Sequence, residues 1–148
     1  RTPNAFPGAD STRTLADLHR VLPGADAVFI ALALTPETQH VISAPELALM
    51  KQSAWIVNVA RGGHIDTAAL VTALQDEAIG GAALDVTEPE PLPDGHPLWT
   101  LPNCLITPHV ANTPEMGLEL LARRVTSNVE RYLADQQLLG PVNTKAGY

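Results

Sequence analysis

Arg61, Glu90 and His109 each stand just past a short apolar run, in the segments AWIVNVARGGHID, GGAALDVTEPEPLP and CLITPHVANTPE. A guanidinium can hold a small carboxylate through two parallel hydrogen bonds, which a lysine cannot do. An imidazole can give or take a proton near neutral pH, and a neighbouring carboxylate can orient it. Gathered at successive strand ends, the three groups have the means to grip a small anion and move one proton on it. Gly62 and Gly63, directly after Arg61, supply the backbone freedom for a tight strand exit.

Such a site needs elements that bring distant residues to one edge, and the pattern of the chain supplies them. The runs at 27–34 (AVFIALAL), 54–59 (AWIVNV), 82–86 (AALDV) and 104–107 (CLIT) are short and continuously apolar, which predicts strands buried on both faces. Helical spacing fills the intervals: Leu15, Leu18 and Leu22 share one face, and Leu70, Val71 and Leu74 another. Ser43 and Glu46 have the spacing of a capping box with Pro45 in the first turn, Asp66 can cap the helix after it, and Thr113-Pro114 opens the last one. That last helix is expected over 114–139, with Leu118, Leu121, Val125 and Tyr132 on one stripe. The alternation implies an α/β fold with a parallel sheet, in which ligands bind at the carboxyl ends of the strands. The proline-rich segment 89–102 is expected to be a long ordered loop, a kind that is commonly functional.

Composition narrows the partners. A chain of 148 residues fits one domain, and a net charge of −7 argues against nucleic acid or an anionic membrane as the partner. Cys104 is the one cysteine, so no internal disulfide is available, and no signal peptide or transmembrane stretch is evident. A cytoplasmic setting is the expectation. Cys104 itself, beside Leu105 and Ile106, reads as a small buried hydrophobe.

The segments LTPET (34–38), VNVARGGHID, ALDVTEPEPLP, HPLW and TPHVANTPE, in this order and separation, resemble the D-isomer-specific 2-hydroxyacid dehydrogenases. The resemblance implies a partial Rossmann-like, doubly wound parallel sheet with a long C-terminal helix. It also implies an NAD- or NADP-dependent oxidoreductase that interconverts a small 2-keto acid, such as glyoxylate or hydroxypyruvate, with the 2-hydroxy acid. Arg61 matches the family arginine on the substrate's carboxylate and carbonyl, and His109 the acid/base. Glu90 matches the carboxylate that pairs with this histidine, with Glu88 in the same segment as the alternative. Asp85 resembles the residue that holds the nicotinamide carboxamide, the other reading being a turn cap. Leu34, Thr35 and Ala60, with Arg61, Asp85 and His109, fall at positions that line the cofactor. Ala33 departs from the proline of many relatives.

Family members carry an N-terminal substrate domain and a G-x-G-x-x-G turn, and neither occurs in this sequence. The expectation is therefore that 1–148 is the C-terminal portion of a dinucleotide-binding domain, a piece of a longer enzyme, with the final helix returning toward the absent substrate domain. Relatives are commonly homodimers. If Arg1-Thr2 falls at the end of the second strand of the complete domain, NADP is slightly favoured over NAD. The alternative of another class is a non-catalytic, co-repressor-like dinucleotide-binding module, and a third reading is that this piece alone is inactive. Trp99 either walls the pocket or anchors the proline-rich loop. His19 reads as solvated, and His40 and His64 have no partner evident from sequence.

Overall fold

The computed structural model describes residues 6–143, so the reading of Arg1-Thr2 as a cofactor-choice position lies outside the described residues. Four parallel strands form one sheet in chain order: β1 (Ala27–Ile30), β2 (Trp55–Asn58), β3 (Gly81–Leu84) and β4 (Cys104–Ile106). Their last residues stand in register, Ile30 beside Asn58, Asn58 beside Leu84, and Leu84 beside Ile106. The strands thus end level, and the loops after them leave from one edge.

The helices are α1 (Leu18–Val21), α2 (Ala44–Leu49), α3 (Thr67–Gln75) and α4 (Pro114–Leu133). Leu22, Leu47, Leu70 and Leu74 pack with Ile30, Ile56, Ala82 and Leu84 into one buried core. Leu18 and Val71 are only partly buried against that core, while Leu15 is exposed, so the first helical face carries two of its three leucines inward.

The strands are not buried on both faces as their apolar runs suggested. Phe29, Val57, Ala83 and Leu105 form a cross-strand row on the second face, where Phe29 is 70% and Leu105 60% exposed. Topology gives the reason: strands added in chain order with same-handed connections place every connection on one side of the sheet. What is present is half of a doubly wound architecture. The strands are also shorter than their apolar runs. β1 in particular stops at Ile30, because β2, its one partner, ends at Asn58.

Local signals in the sequence are realised closely. The Ser43 backbone N–H and hydroxyl both donate to Glu46 at 2.9 and 2.6 Å, and the Asp66 carboxylate accepts from the Ala68 and Ala69 N–H groups. Thr113 caps α4 through the Met116 N–H. The helix itself ends at Leu133, six residues short of the expected 139. Asp135 takes a left-handed conformation with φ of 52°, the Gln136 N–H turns back to the Arg131 carbonyl, and the Asn128 side chain bonds both the N–H and the carbonyl of Leu139. None of α4 is buried, and Leu118, Leu121, Val125 and Tyr132 are all exposed. Among the described residues no helix is long and apolar enough to cross a membrane.

His19 is not simply solvated, since its Nε2 lies 2.5 Å from Glu46 Oε1 and ties α1 to α2. Burial on its own would raise the pKa of Glu46, but the Ser43 hydroxyl, His19 and the backbone N–H groups of Ser43 and Glu46 outweigh it and bring it down to about 2. The folded value is below the roughly 4.3 of an unfolded glutamate. The resulting stabilisation is therefore complete above that unfolded value and is lost as pH falls toward the folded one. Glu46→Gln should lower the melting temperature clearly at pH 7 and progressively less from pH 4 downward, as read by circular dichroism; a difference independent of pH would contradict this assignment.

Candidate active site

Arg61 follows β2, Asp85 and Glu90 follow β3, and His109 follows β4. Adjacent parallel strands lie about 4.8 Å apart, so the three exits span a distance that one small molecule can bridge.

Glu90 meets His109, with Nδ1 at 2.6 Å from Oε1. Glu88 turns instead to His40, whose Nε2 is 3.2 Å from Oε2. The sequence left both carboxylates open as partners of His109, and alternation along the loop separates them. Thr67 fixes the Glu88 backbone by donating its hydroxyl to the carbonyl at 2.7 Å. With Nδ1 of His109 engaged, Nε2 is the nitrogen left to meet a ligand. Both side chains of the His109–Glu90 pair remain nearly half exposed.

His109 sits at φ 56°, a left-handed conformation uncommon outside glycine, and its surroundings hold it there. The enforcing group is the buried Asp85 carboxylate. Oδ1 accepts from the Thr107 hydroxyl at 2.6 Å and the Val110 N–H at 2.9 Å, and Oδ2 accepts from the Ala111 N–H at 2.8 Å. Burial would raise the Asp85 pKa, but Thr107, the Ala111 and Val110 N–H groups and the nearby His109 together hold it below the ordinary carboxylate value. These bonds leave acceptor capacity on Oδ2. Asp85 opens onto a groove of about 240 Å³ walled by Val57, Val59, Ala83, Leu105, Val110 and Ala111. A flat ring bearing an amide donor suits that combination of apolar wall and carboxylate.

Arg61 is exposed and its Nη1 donates to the Ala60 carbonyl at 2.6 Å. It borders a crevice of about 490 Å³ with Ala60, Val59 and residues 31–34, including Leu34. Thr35 is turned inward instead: its N–H donates to the Thr38 hydroxyl at 2.8 Å, so it shapes the loop that carries Leu34. No hydrogen bond or ion pair links Arg61 to the His109–Glu90 pair among the described residues.

Several contributors escaped the sequence reading. Asn58, 1% exposed, bonds the Ala60 N–H and the Arg61 carbonyl, and the wholly buried His64 reaches the same carbonyl through Nδ1. The available signal was a polar residue at an inward position, since Asn58 shares a face with Ile56. Trp99 anchors the proline-rich loop by donating its indole N–H to the Pro93 carbonyl, while Leu92 and Leu98 from that loop enter the core. Cys104 is half-buried, and burial pushes its thiol up to about 11.

A parallel α/β half-sheet with an arginine, an Asp-braced loop and a histidine–carboxylate pair at its carboxyl edge defines a ligand-binding domain of the dinucleotide type. Residues 2–111 match the profile of the D-isomer specific 2-hydroxyacid dehydrogenase, NAD binding domain, and the chain belongs to that family. It is 45% identical over 141 residues to a protein encoded in the proB 3′ region of Corynebacterium melassecola, covering 95% of this chain and 46% of that one. A glycerate dehydrogenase of Methylorubrum extorquens is 43% identical over 122 residues, covering 81% and 39%. The chain thus spans less than half the length of these relatives. Among solved structures, a D-isomer specific 2-hydroxyacid dehydrogenase from Xanthobacter autotrophicus in complex with NADPH and MES superposes with a TM-score of 0.89 at 40% identity, covering 100% of this chain and 60% of that one. An NADPH-dependent glyoxylate/hydroxypyruvate reductase from Sinorhizobium meliloti with NADP and sulfate gives 0.89 at 30% identity, covering 100% and 48%.

The strand exit at Arg61 depends on close approach. A Cβ on Gly62 would lie 2.0 Å from the Thr87 carbonyl oxygen, whereas one on Gly63 would meet only side-chain ends, Gln39 at 3.0 Å and Leu34 at 3.2 Å. Gly62→Ala should therefore cost about 1–3 kcal/mol or more in urea unfolding, and Gly63→Ala much less. Equal losses would show that the Gly62–Thr87 approach does not constrain the exit.

Proposed function

We propose that this chain forms the nicotinamide-side portion of an NAD(P)-dependent D-2-hydroxyacid dehydrogenase, the C-terminal part of a dinucleotide-binding domain, which reduces a small 2-keto acid such as glyoxylate or hydroxypyruvate. The observation that carries this reading is the 2.6 Å His109–Glu90 pair, formed from the exits of β4 and β3 on the same sheet edge as the β2 exit that carries Arg61.

In this reading Arg61 releases the Ala60 carbonyl and turns its planar guanidinium to the substrate carboxylate. Glu90 orients the His109 ring through Nδ1, and Nε2 delivers a proton to the carbonyl oxygen as the alcohol forms. Asp85 would hold the carboxamide of a bound nicotinamide, and Leu34, Ala60 and the loop built on Thr35 would line the rest of the dinucleotide, which would supply the hydride. Keto acid plus NAD(P)H plus a proton would then balance against hydroxy acid plus NAD(P)⁺, the proton on the new hydroxyl coming from His109. The NADPH and NADP held by the two structural relatives favour NADPH as the first donor to test. The acidic charge and single cysteine support a cytoplasmic enzyme that engages neither nucleic acid nor membrane, and the bare apolar stripe of α4 supports packing of that helix against the substrate domain of a complete, homodimeric enzyme.

The reading is tested by following NADPH and NADH oxidation by the full-length protein with glyoxylate, hydroxypyruvate and longer keto acids. Turnover that depends on keto acid is expected, with His109→Ala lowering it about 10²-fold or more. Cofactor binding without turnover would overturn the dehydrogenase assignment in favour of a binding module, and near-normal turnover by His109→Ala would remove that residue from the acid/base role.

A further inference from the structure

We infer that Asn58 and His64 are positioning residues that set the substrate arginine, and that their effect is on keto-acid binding. The inference rests on the proposed role of Arg61 and deepens it. Asn58 accepts the Ala60 N–H on Oδ1 at 3.0 Å and donates from Nδ2 to the Arg61 carbonyl at 2.9 Å. His64 donates from Nδ1 to that same carbonyl at 2.9 Å, and its backbone N–H reaches it at 3.3 Å. The peptide group that leaves Arg61 is therefore held by both buried side chains, and the one that enters Ala60 by Asn58. Gly62, pressed against the Thr87 carbonyl, blocks the backbone from relaxing on the far side. With the two-residue step from Ala60 to Arg61 pinned at both ends, the Cα–Cβ direction of Arg61 has little room to turn, and the long side chain sweeps a restricted arc over the crevice it borders.

His64 is the less expected of the two residues. It is completely buried, and its Nε2 has no hydrogen-bond partner among the described residues. A leucine would fill the same space without leaving a buried polar atom unpaired, so folding alone gives little reason for an imidazole here. The one side-chain bond it makes is to the backbone of the arginine. Bracing of the arginine's backbone matters because a displacement of about 1 Å at a binding group is enough to lose up to roughly 10²-fold in a well-placed site.

The test uses the full-length protein saturated with reduced cofactor. KM and kcat are measured with the best keto acid, and the dissociation constant of oxamate, a keto-acid isostere that cannot accept hydride, is measured by calorimetry. His64→Leu is expected to raise KM and the oxamate constant together by roughly 10-fold, with kcat and cofactor affinity changing much less. His64→Asn, whose amide can reach the position of Nδ1, should restore both to within a few-fold. Asn58→Asp keeps the acceptor for Ala60 but loses the donor to Arg61, and should raise the same two constants; it decides the matter if His64→Leu does not fold. Unchanged KM and oxamate affinity in these variants, alongside a loss in Arg61→Ala, would overturn the positioning role and leave the arginine assignment standing. Unchanged oxamate affinity in Arg61→Ala would overturn both.

Discussion

The Asp85 carboxylate is the contact on which the site depends. It leaves β3 at the level edge of the sheet, and its two oxygens gather the Thr107 hydroxyl and the N–H groups of Val110 and Ala111 from the segment after β4. These three bonds bracket His109 and hold it at a φ that is uncommon outside glycine. Without them the β4 exit would be free to relax, and the ring would lose its approach to Glu90. The depressed pKa of Asp85 expresses the same fact, because the anion is favoured by the groups it organises.

The exits after β2 and β4 are each held by a polar side chain that takes up backbone groups of the turn. Asn58 does so for Arg61 after β2, and Asp85 for His109 after β4. The loop after β3 is held at Glu88 by Thr67 and His40, which leaves Glu90 pointing to the next strand. Buried braces beneath exposed reactive groups are the arrangement expected where geometry must be kept without closing the site to a ligand. The core lies on one side only, and the other face of the sheet presents Phe29 and Leu105 to solvent.

The sequence was most legible where local chemistry decides the outcome. Capping at Ser43, Asp66 and Thr113 and four strands in a parallel sheet could be read from residue types and their spacing, as could the place of Arg61, Glu90 and His109 at strand ends, while the family was legible in the order of its motifs. The sequence was least legible where tertiary geometry decides. Glu88 and Glu90 are chemically equivalent two residues apart, and only the course of the loop sends one to His40 and the other to His109. Apolar runs cannot tell a strand covered on both faces from one whose second face is bare, since hydrophobicity does not record which helices are present. The stop of α4 at Leu133 rests on Asp135 and on Asn128 reaching Leu139, neither of which breaks the helical pattern. His64 was unreadable because its partner is a backbone carbonyl, and main-chain acceptors leave no mark in sequence.

The most direct test of the account is a crystal structure of the full-length protein with NADPH and oxamate. The account requires the oxamate carboxylate on the Arg61 guanidinium and its carbonyl oxygen within hydrogen-bond reach of His109 Nε2, with Glu90 still on Nδ1 and Asp85 still holding Val110 and Ala111. Oxamate bound away from Arg61, or His109 swung off Glu90 with its loop released from Asp85, would contradict it.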